Sequence, residues 1–81
     1  MNNEQIIQQL HPIFIDVLDN ENIQLSETST AADIEEWDSL TNVQIIVAVE
    51  KHFKVRFTTG EIQKLNNVGD LCTLIKAKSG N

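Results

Sequence analysis

The chain has 81 residues, of which six are basic and twelve are acidic, so its formal net charge at pH 7 is −6. This length limits it to one small domain, which buries roughly 60 to 65 per cent of the surface that the unfolded chain exposes. The charge disfavours nucleic acid and anionic membranes as partners and favours basic proteins, although an ordinary solvated surface has the same charge. We therefore expect a single domain over residues 1–81, monomeric and without affinity for nucleic acid.

The charges are unevenly distributed along the chain. Residues 1–50 contain ten acids and no Lys or Arg, whereas residues 51–81 contain six bases and two acids. No secretory signal is recognisable at the N-terminus, and no apolar run approaches the length that spans a bilayer. We therefore expect a cytoplasmic protein without stable membrane insertion. The single cysteine, Cys72, excludes an internal disulfide, and its place in an apolar helical pattern predicts a buried small hydrophobe.

The first predicted element is an amphipathic helix with Asn2 or Asn3 available as its N-cap. Pro12 removes one backbone N–H and clashes with the preceding turn at Gln8, so we expect the helix to bend or restart there. Its apolar residues recur at the spacing of one helix face, and they are Ile6, Leu10, Ile13, Phe14, Val17 and Leu18.

Residues 19–36 form a long segment in which the helical periodicity fades into Asn, Glu, Ser and Thr. Ile23, Leu25 and Ile34 are spaced as anchors for an ordered loop, and residues 31–34 can form a helical turn. An EF-hand is excluded, because Ile23 and Gln24 stand where the calcium loop needs an oxygen ligand and a glycine.

A second helix is predicted to follow Asp38, which can serve as its N-cap, and to run to about Phe53. Its core-facing residues are Ile45, Ile46, Val49 and Phe53.

A second apolar stripe on the same helix begins beside Ser39 and is separated from the core arc by Glu50. It consists of Leu40, Val43 and Val47. Either a neighbouring helix covers this stripe or it is a contact patch for partner proteins, and the sequence favours neither interpretation.

Two further helices complete the predicted fold. Thr58 and Glu61 match a capping box that starts a short third helix through about Leu65, with Ile62 and Leu65 directed inward. Asn67 can cap the last helix, and residues 79–81 are expected to fray. The apolar residues of that last helix recur at intervals of three and four, and they are Val68, Leu71, Cys72 and Ile75.

Residues 54–57 alternate like a strand but have no pairing partner, so they are predicted to be a connector. The predicted fold class is therefore all-α, a small four-helix bundle with three longer helices, a short third helix and a long loop between helices one and two.

Ser39 is the strongest candidate for a chemical role. It stands where a helix begins, and there the unpaired N–H groups and the helix dipole favour an attached phosphate. Hydrolysis by Ser39 is disfavoured, because His52 lies thirteen residues along the same helix, about 20 Å away at ~1.5 Å rise per residue. The flanking residues also lack the glycines of a nucleophile elbow. Two separated histidines and one cysteine make no metal cluster.

The residues Asp38-Ser39-Leu40, followed by Val43, Ile46, Val47, Glu50 and Phe53, resemble the modification site and second helix of acyl carrier proteins. The order and spacing of the predicted helices agree with that family over nearly the whole chain. In the family, a phosphopantetheinyl transferase attaches 4′-phosphopantetheine from coenzyme A to a serine, and the thiol of this arm holds acyl groups as thioesters. The resemblance implies a non-catalytic carrier with Ser39 as the attachment point, served by acyl-loading, condensing or acyl-transfer enzymes.

The resemblance also implies roles for other residues. Asp38 is expected to orient the attachment site, and Ile62, Leu65 and Val68 are expected to form an acyl-lining wall opposite helix two. Trp37 is either a docking anchor or packed over the loop. The expected partner contacts are Glu35, Glu36, Trp37, Leu40, Val43, Val47 and Glu50.

The chain departs from the fatty acid synthesis carriers in two respects. Those carriers commonly have a glycine two places before the aspartate and several acids along helix two, whereas this chain has Glu36 at that place and only Glu50 as an acid inside the helix. It also lacks the glycines that usually precede the serine motif of peptidyl carriers. We therefore expect a stand-alone carrier of a specialised pathway, polyketide-like or another acyl-transfer route. The alternatives are primary fatty acid synthesis and an unmodified helical adaptor, in which Ser39 is an ordinary residue near a helix start.

Overall fold

Four α-helices, α1 (Asn3–Leu18), α2 (Ser39–Phe53), α3 (Thr59–Gln63) and α4 (Val68–Ser79), make up the fold. A computed structural model describes residues 2–79, and no strand occurs among them. The predicted all-α bundle with a long loop after its first helix is therefore confirmed. The third helix ends earlier than predicted, and Ser79 is helical rather than frayed. Gly80 and Asn81, where fraying was also predicted, lie outside the described residues. No helix within residues 2–79 has the length and apolarity that crossing a membrane requires.

α1 begins at the predicted cap. The Asn2 side chain accepts the Gln5 N–H at 2.8 Å, and the Gln5 side chain accepts the Asn2 N–H at 3.0 Å. The helix passes through Pro12 without interruption, so of the two expected outcomes, a bend or a restart, the restart is excluded. Pro12 and Gln8 both lie on the exposed side of α1, where water can satisfy the carbonyl that loses its N–H partner. A bend at Pro12 stays a prediction.

The core lies where α1 packs against α2 and α4. Its members are the predicted apolar faces of these helices, and the side chains without any exposed surface are Ile6, Leu10, Phe14, Ile45, Val49, Val68, Cys72 and Ile75. Burial raises the pKa of the Cys72 thiol to about 11, because the charged thiolate is poorly solvated there. Cys72 is therefore the neutral core residue that its position in the helical pattern predicts.

The loop between α1 and α2 is ordered by its predicted anchors. Ile23 and Ile34 are buried, and Leu25 packs against the core. The N–H groups of Asp33 and Ile34 donate to the Thr30 carbonyl at 3.0 and 3.2 Å, which forms the expected turn. A long loop of this kind is compatible with a small domain because its apolar residues share the core with the helices.

The segment between α2 and α3 is a connector, as predicted, and Glu50 determines its course. The Glu50 carboxylate accepts the Phe57 N–H at 2.8 Å, and the Glu50 backbone carbonyl accepts the Val55 N–H at 3.0 Å. α3 then starts with the predicted capping box of Thr58 and Glu61. Glu61 also pairs with Lys78 at 2.8 Å, which links α3 to α4.

Candidate functional site

The start of α2 is held in place by Asp38 and Thr41. The Asp38 carboxylate accepts the N–H groups of Leu40 and Thr41, both at 2.9 Å, and the Thr41 hydroxyl accepts the Asp38 N–H at 2.9 Å. The hydrogen bond from the Thr41 backbone holds the pKa of Asp38 below its usual value. Asp38 is therefore an ionised N-cap at neutral pH, as its position in the sequence predicts.

Ser39 is the first residue of α2 and is exposed to solvent. Within residues 2–79, neither its hydroxyl nor its backbone N–H has a hydrogen-bond partner. The Asp38 carboxylate is occupied by the next two N–H groups, so the Ser39 side chain has no structural role in capping. A visiting protein can therefore reach the Ser39 oxygen without displacing any part of the fold.

A cavity of about 240 Å³ opens beside Ser39, between the start of α2, the preceding loop and the segment that joins α3 to α4. Apolar side chains and three amide side chains line it. The lining residues are Ala31, Trp37, Asp38, Ser39, Asn42, Ile46, Leu65, Asn66, Asn67 and Leu71. An apolar space with a few amide groups suits a small organic group that combines a hydrocarbon part with polar atoms.

The cavity contains one of the three residues expected to form an acyl-lining wall. Leu65 borders it, whereas Val68 is fully buried in the core and Ile62 packs partly buried against the core, outside the cavity lining. The acyl-lining role of these residues stays a prediction, with Leu65 in the most suitable place. Sequence reasoning missed Ile46 and Leu71, because a helical pattern does not reveal which core residues border a gap.

Trp37 is packed over the loop, which is one of its two expected interpretations. Its ring meets Phe14 edge to face, with centroids 5.0 Å apart. Its Nε1 donates to Asn42 Oδ1 at 2.9 Å. These contacts hold the half-buried indole against the core, although its edge still borders the cavity. A docking role for Trp37 stays a prediction.

The second apolar stripe of α2 is uncovered. Leu40, Val43 and Val47 keep 71, 60 and 42 per cent of their surface exposed. The core-facing residues Ile45 and Val49 lie on the other side of the helix, so the remainder of the domain does not reach the stripe. Of the two interpretations that the sequence allows, the structure therefore favours a contact patch.

The acidic residues expected as partner contacts differ in their exposure. Glu35 and Glu36 are exposed, and Glu36 accepts a hydrogen bond from the Asn20 side chain at 2.8 Å. Glu50 is half-buried and its carboxylate is engaged by the Phe57 N–H.

Across residues 2–79, no group of three or more His, Cys, Asp and Glu side chains is arranged to hold a metal ion.

Neither histidine is positioned to activate Ser39. His52 lies in the last turn of α2, where its Nε2 meets Gln9 Oε1 at 2.9 Å. His11 is on α1, and its Nε2 hydrogen-bonds the Ile23 carbonyl. Ser39 is thus not paired with a general base, which a serine nucleophile requires.

Several known proteins and one family model match most of the chain. The family described as phosphopantetheine attachment site matches residues 8–75. The acyl carrier protein of Thermosynechococcus vestitus is 35% identical over 80 residues, and that of Picosynechococcus sp. is 27% identical over 78 residues, with 96% of both chains covered in each case. The solution NMR structure of holo acyl carrier protein from Geobacter metallireducens matches with a TM-score of 0.84 and 45% identity, over 90% of this chain and 84% of that chain.

Proposed function

The chain belongs to the acyl carrier protein family, and we propose that Ser39 is the residue to which its 4′-phosphopantetheine is attached. Proteins of this family are carriers, and the catalysis is done by the enzymes they visit. The bound group supplies a thiol that holds acyl groups as thioesters. The observation that supports Ser39 is its exposed hydroxyl, which has no hydrogen-bond partner in the part of the chain that the structure describes.

The residues around Ser39 fit a phosphate ester. Asp38 uses the N–H groups of Leu40 and Thr41, so the Ser39 N–H is a first-turn donor that remains for a phosphate oxygen. The partial positive charge of the helix start further favours a phosphate at this position. The adjoining cavity, of which Ser39 itself forms part of the wall, offers room for the organic part of the group or its cargo.

Intact mass spectrometry tests the attachment residue. We expect that co-expression with a promiscuous phosphopantetheinyl transferase adds one phosphopantetheine to the wild type and none to Ser39→Ala, since the ester requires the hydroxyl. Ser26→Ala is the matched control, because Ser26 is also exposed but lies in the loop, where its hydroxyl contacts Thr28 and Ser29. Modification of Ser39→Ala, or loss of modification in Ser26→Ala, would place the arm elsewhere.

We further propose that the chain serves a specialised acyl-transfer pathway, such as a polyketide-like one, rather than primary fatty acid synthesis. The support is the charge of α2. Glu50 is its one acid, and the carboxylate is already engaged by the Phe57 N–H. Beyond Ser39, the exposed polar positions of the helix hold Gln44, Lys51 and His52 instead. An enzyme that docks basic side chains along α2 therefore gains little electrostatic attraction there.

Binding to a fatty acid synthase ketosynthase tests the pathway proposal. We expect the phosphopantetheine-bearing protein to bind weakly and in a salt-sensitive way, since the remaining attraction is to the exposed acids Glu35 and Glu36. The double variant Gln44→Glu/Lys51→Glu places acids on exposed positions of α2 and is expected to bind more tightly, since it restores attraction to a basic surface. Tight binding of the wild type at physiological salt would instead support primary fatty acid synthesis.

A further inference from the structure

We propose that the end of α2 remote from Ser39 is a second recognition point, a cationic groove that receives carboxylate side chains of a partner enzyme. The partner is an enzyme that docks along α2 and takes up the arm, an identity that rests on the proposed carrier function. What is new is the charge pattern that such an enzyme must present. We call the groove the distal groove.

The distal groove has a volume of about 470 Å³ and is lined by Val47, Glu50, Lys51, Lys54, Val55 and Arg56. Three of these side chains are cationic and one is acidic. Among residues 2–79 the ion pair observed joins Lys78 to Glu61, on α4 and α3, so the three cations of the groove have no anionic partner there. The one acid, Glu50, accepts the Phe57 N–H. The groove therefore presents an excess of uncompensated positive charge.

The distal groove is continuous with the exposed apolar stripe. Leu40, Val43, Val47 and Lys51 follow one another at intervals of three or four residues, which places them on one helix face. Val47 belongs to both the stripe and the groove lining. Lys51 is twelve residues beyond Ser39, a distance of about 18 Å along the axis at ~1.5 Å per residue. One protein surface of ordinary size spans both points.

The segments at the two ends of α2 carry opposite charge. Glu35, Glu36 and Asp38 lie at the Ser39 end, and Lys51, Lys54 and Arg56 lie at the distal end. A complementary enzyme therefore has basic side chains close to the entrance for the arm and acidic side chains about 18 Å away. Such a pattern fixes the direction in which the carrier docks, because the reversed orientation places like charges opposite each other.

The helix dipole explains only part of this arrangement. Cations in the last turn stabilise a helix, which accounts for Lys51 and for Lys54 at the C-cap. It does not account for Arg56, which lies beyond the helix in the same groove, or for the exposed Val47 beside it. Polyanions such as nucleic acid or an anionic membrane are disfavoured as occupants, because the chain has a net charge of −6 and the acids near Ser39 lie at the other end of the face.

The test uses a synthetic amphipathic helical peptide with a leucine stripe flanked by glutamates, titrated into ¹⁵N-labelled Ser39→Ala protein so that the result does not depend on the arm. We expect amide shifts at Val47, Lys51 and Arg56, and a version of the peptide with lysines for glutamates should not produce them. Lys51→Glu/Arg56→Glu should weaken binding of the acidic peptide about fivefold to tenfold, because two attractions become repulsions. Lys54 is left unchanged because it has a left-handed backbone with φ 58°.

The matched control is Lys64→Glu/Lys76→Glu, which changes the net charge equally but lies outside the distal groove. It should weaken binding less than about twofold. Equal loss in the two double variants would overturn the proposal, since general charge would then explain the binding. Thermal unfolding establishes that both variants are folded.

Two further titrations address other occupants. Inorganic phosphate at matched ionic strength should not reproduce the peptide-induced shifts, and phosphatidylglycerol vesicles should not bind through Lys51 and Arg56. Peptide-like shifts caused by phosphate, or binding of the vesicles through Lys51 and Arg56, would overturn the proposal in favour of a small-anion or membrane site. The mass measurement on Ser39 is independent of these titrations, so loss of the carrier assignment and loss of the distal groove are separable outcomes.

Discussion

The N-termini of α2 and α4 differ in what covers them. At α2, Asp38 caps the helix with its own side chain, while Ser39 remains exposed and without a hydrogen-bond partner among residues 2–79. At α4, the N–H groups of Val68 and Gly69 donate to the carbonyls of Ser29 and Glu27, at 2.9 and 2.8 Å. The long loop thus closes one helix start and leads into the other without covering it.

A helix start alone does not offer an accessible place for a phosphate. Both starts have the partial positive charge and the unpaired N–H groups that favour an anion. At α4 these donors are used by the loop, and Asn67 Oδ1 takes the Asp70 N–H at 2.8 Å. Only at α2 is a hydroxyl side chain combined with an accessible surface and a neighbouring cavity, at Ser39.

The largest expected effect on stability comes from a side chain at Gly69 that separates the loop from the start of α4. A Cβ on Gly69 would lie 3.0 Å from the Glu27 carbonyl oxygen and 3.2 Å from Asn67 Oδ1. We expect Gly69→Ala to destabilise the protein by about 1 to 3 kcal/mol in urea unfolding. Gly60→Ala is the control, because a Cβ there meets nothing within 4 Å. It should stabilise by about 0.5 to 1 kcal/mol, since alanine is the better helix former. If the two variants change the free energy of unfolding alike, the close contact between the loop and the start of α4 does not contribute to stability.

The two caps provide the next test. Asp38→Ala and Asn67→Ala each remove a side chain that accepts first-turn N–H groups. Each is expected to lower the Tm by about 4 to 8 °C. Their effects on the transfer reaction should differ, because Asp38 directly precedes Ser39 and caps its helix, whereas Asn67 lines the cavity but makes no hydrogen bond to α2 within residues 2–79. We expect clearly slower transfer of phosphopantetheine to Asp38→Ala than to Asn67→Ala, measured at a temperature where all proteins are folded. Equal slowing in Asn67→Ala would contradict a role specific to Asp38.

The smallest expected effect is a pH dependence of the stability that arises at the exposed start of α2 and not at the start of α4. The pKa of Asp38 is lowered in the folded state by its hydrogen bond from the Thr41 backbone. The ionised Asp38 carboxylate therefore stabilises the fold above its unfolded-state pKa of about 3.9. This stabilisation is lost as the pH falls through the lower pKa of the folded state. The Tm difference between wild type and Asp38→Asn should shrink over that range. The corresponding difference for Asn67→Ala should not follow it, since an amide does not titrate. A constant Asp38 difference down to about pH 2 would contradict the assignment.

Helix boundaries were largely predictable, because they depend on neighbours in the chain. The caps at Asn2, Asp38 and Thr58 are confirmed, since each short polar side chain reaches N–H groups two or three residues away. At Pro12 the sequence left a bend and a restart open, and only the restart is excluded by the continuous helix. The reason is tertiary, because packing of the buried face of α1 keeps the helix continuous while its proline side faces solvent.

The candidate site was predictable in its chemistry and less so in its surroundings. Asp38-Ser39-Leu40 indicated the capping aspartate, which is confirmed, and the proposed attachment point, both without reference to any distant residue. The burial of Trp37 against Phe14 and the engagement of Glu50 by Phe57 depend on contacts between separate segments. The same holds for Leu65 and Leu71, which border the cavity together with Ile46 of α2.

Local pattern therefore accounts for the four helices, their apolar faces and the serine at the start of α2, because periodicity, capping and charge act over a few residues. The accessibility of that serine, the exposure of Leu40, Val43 and Val47, and the grouping of Lys51, Lys54 and Arg56 were decided by how the helices and the loop pack. The sequence of α2 contains two apolar faces, and only the positions of the other segments determine which of them is covered.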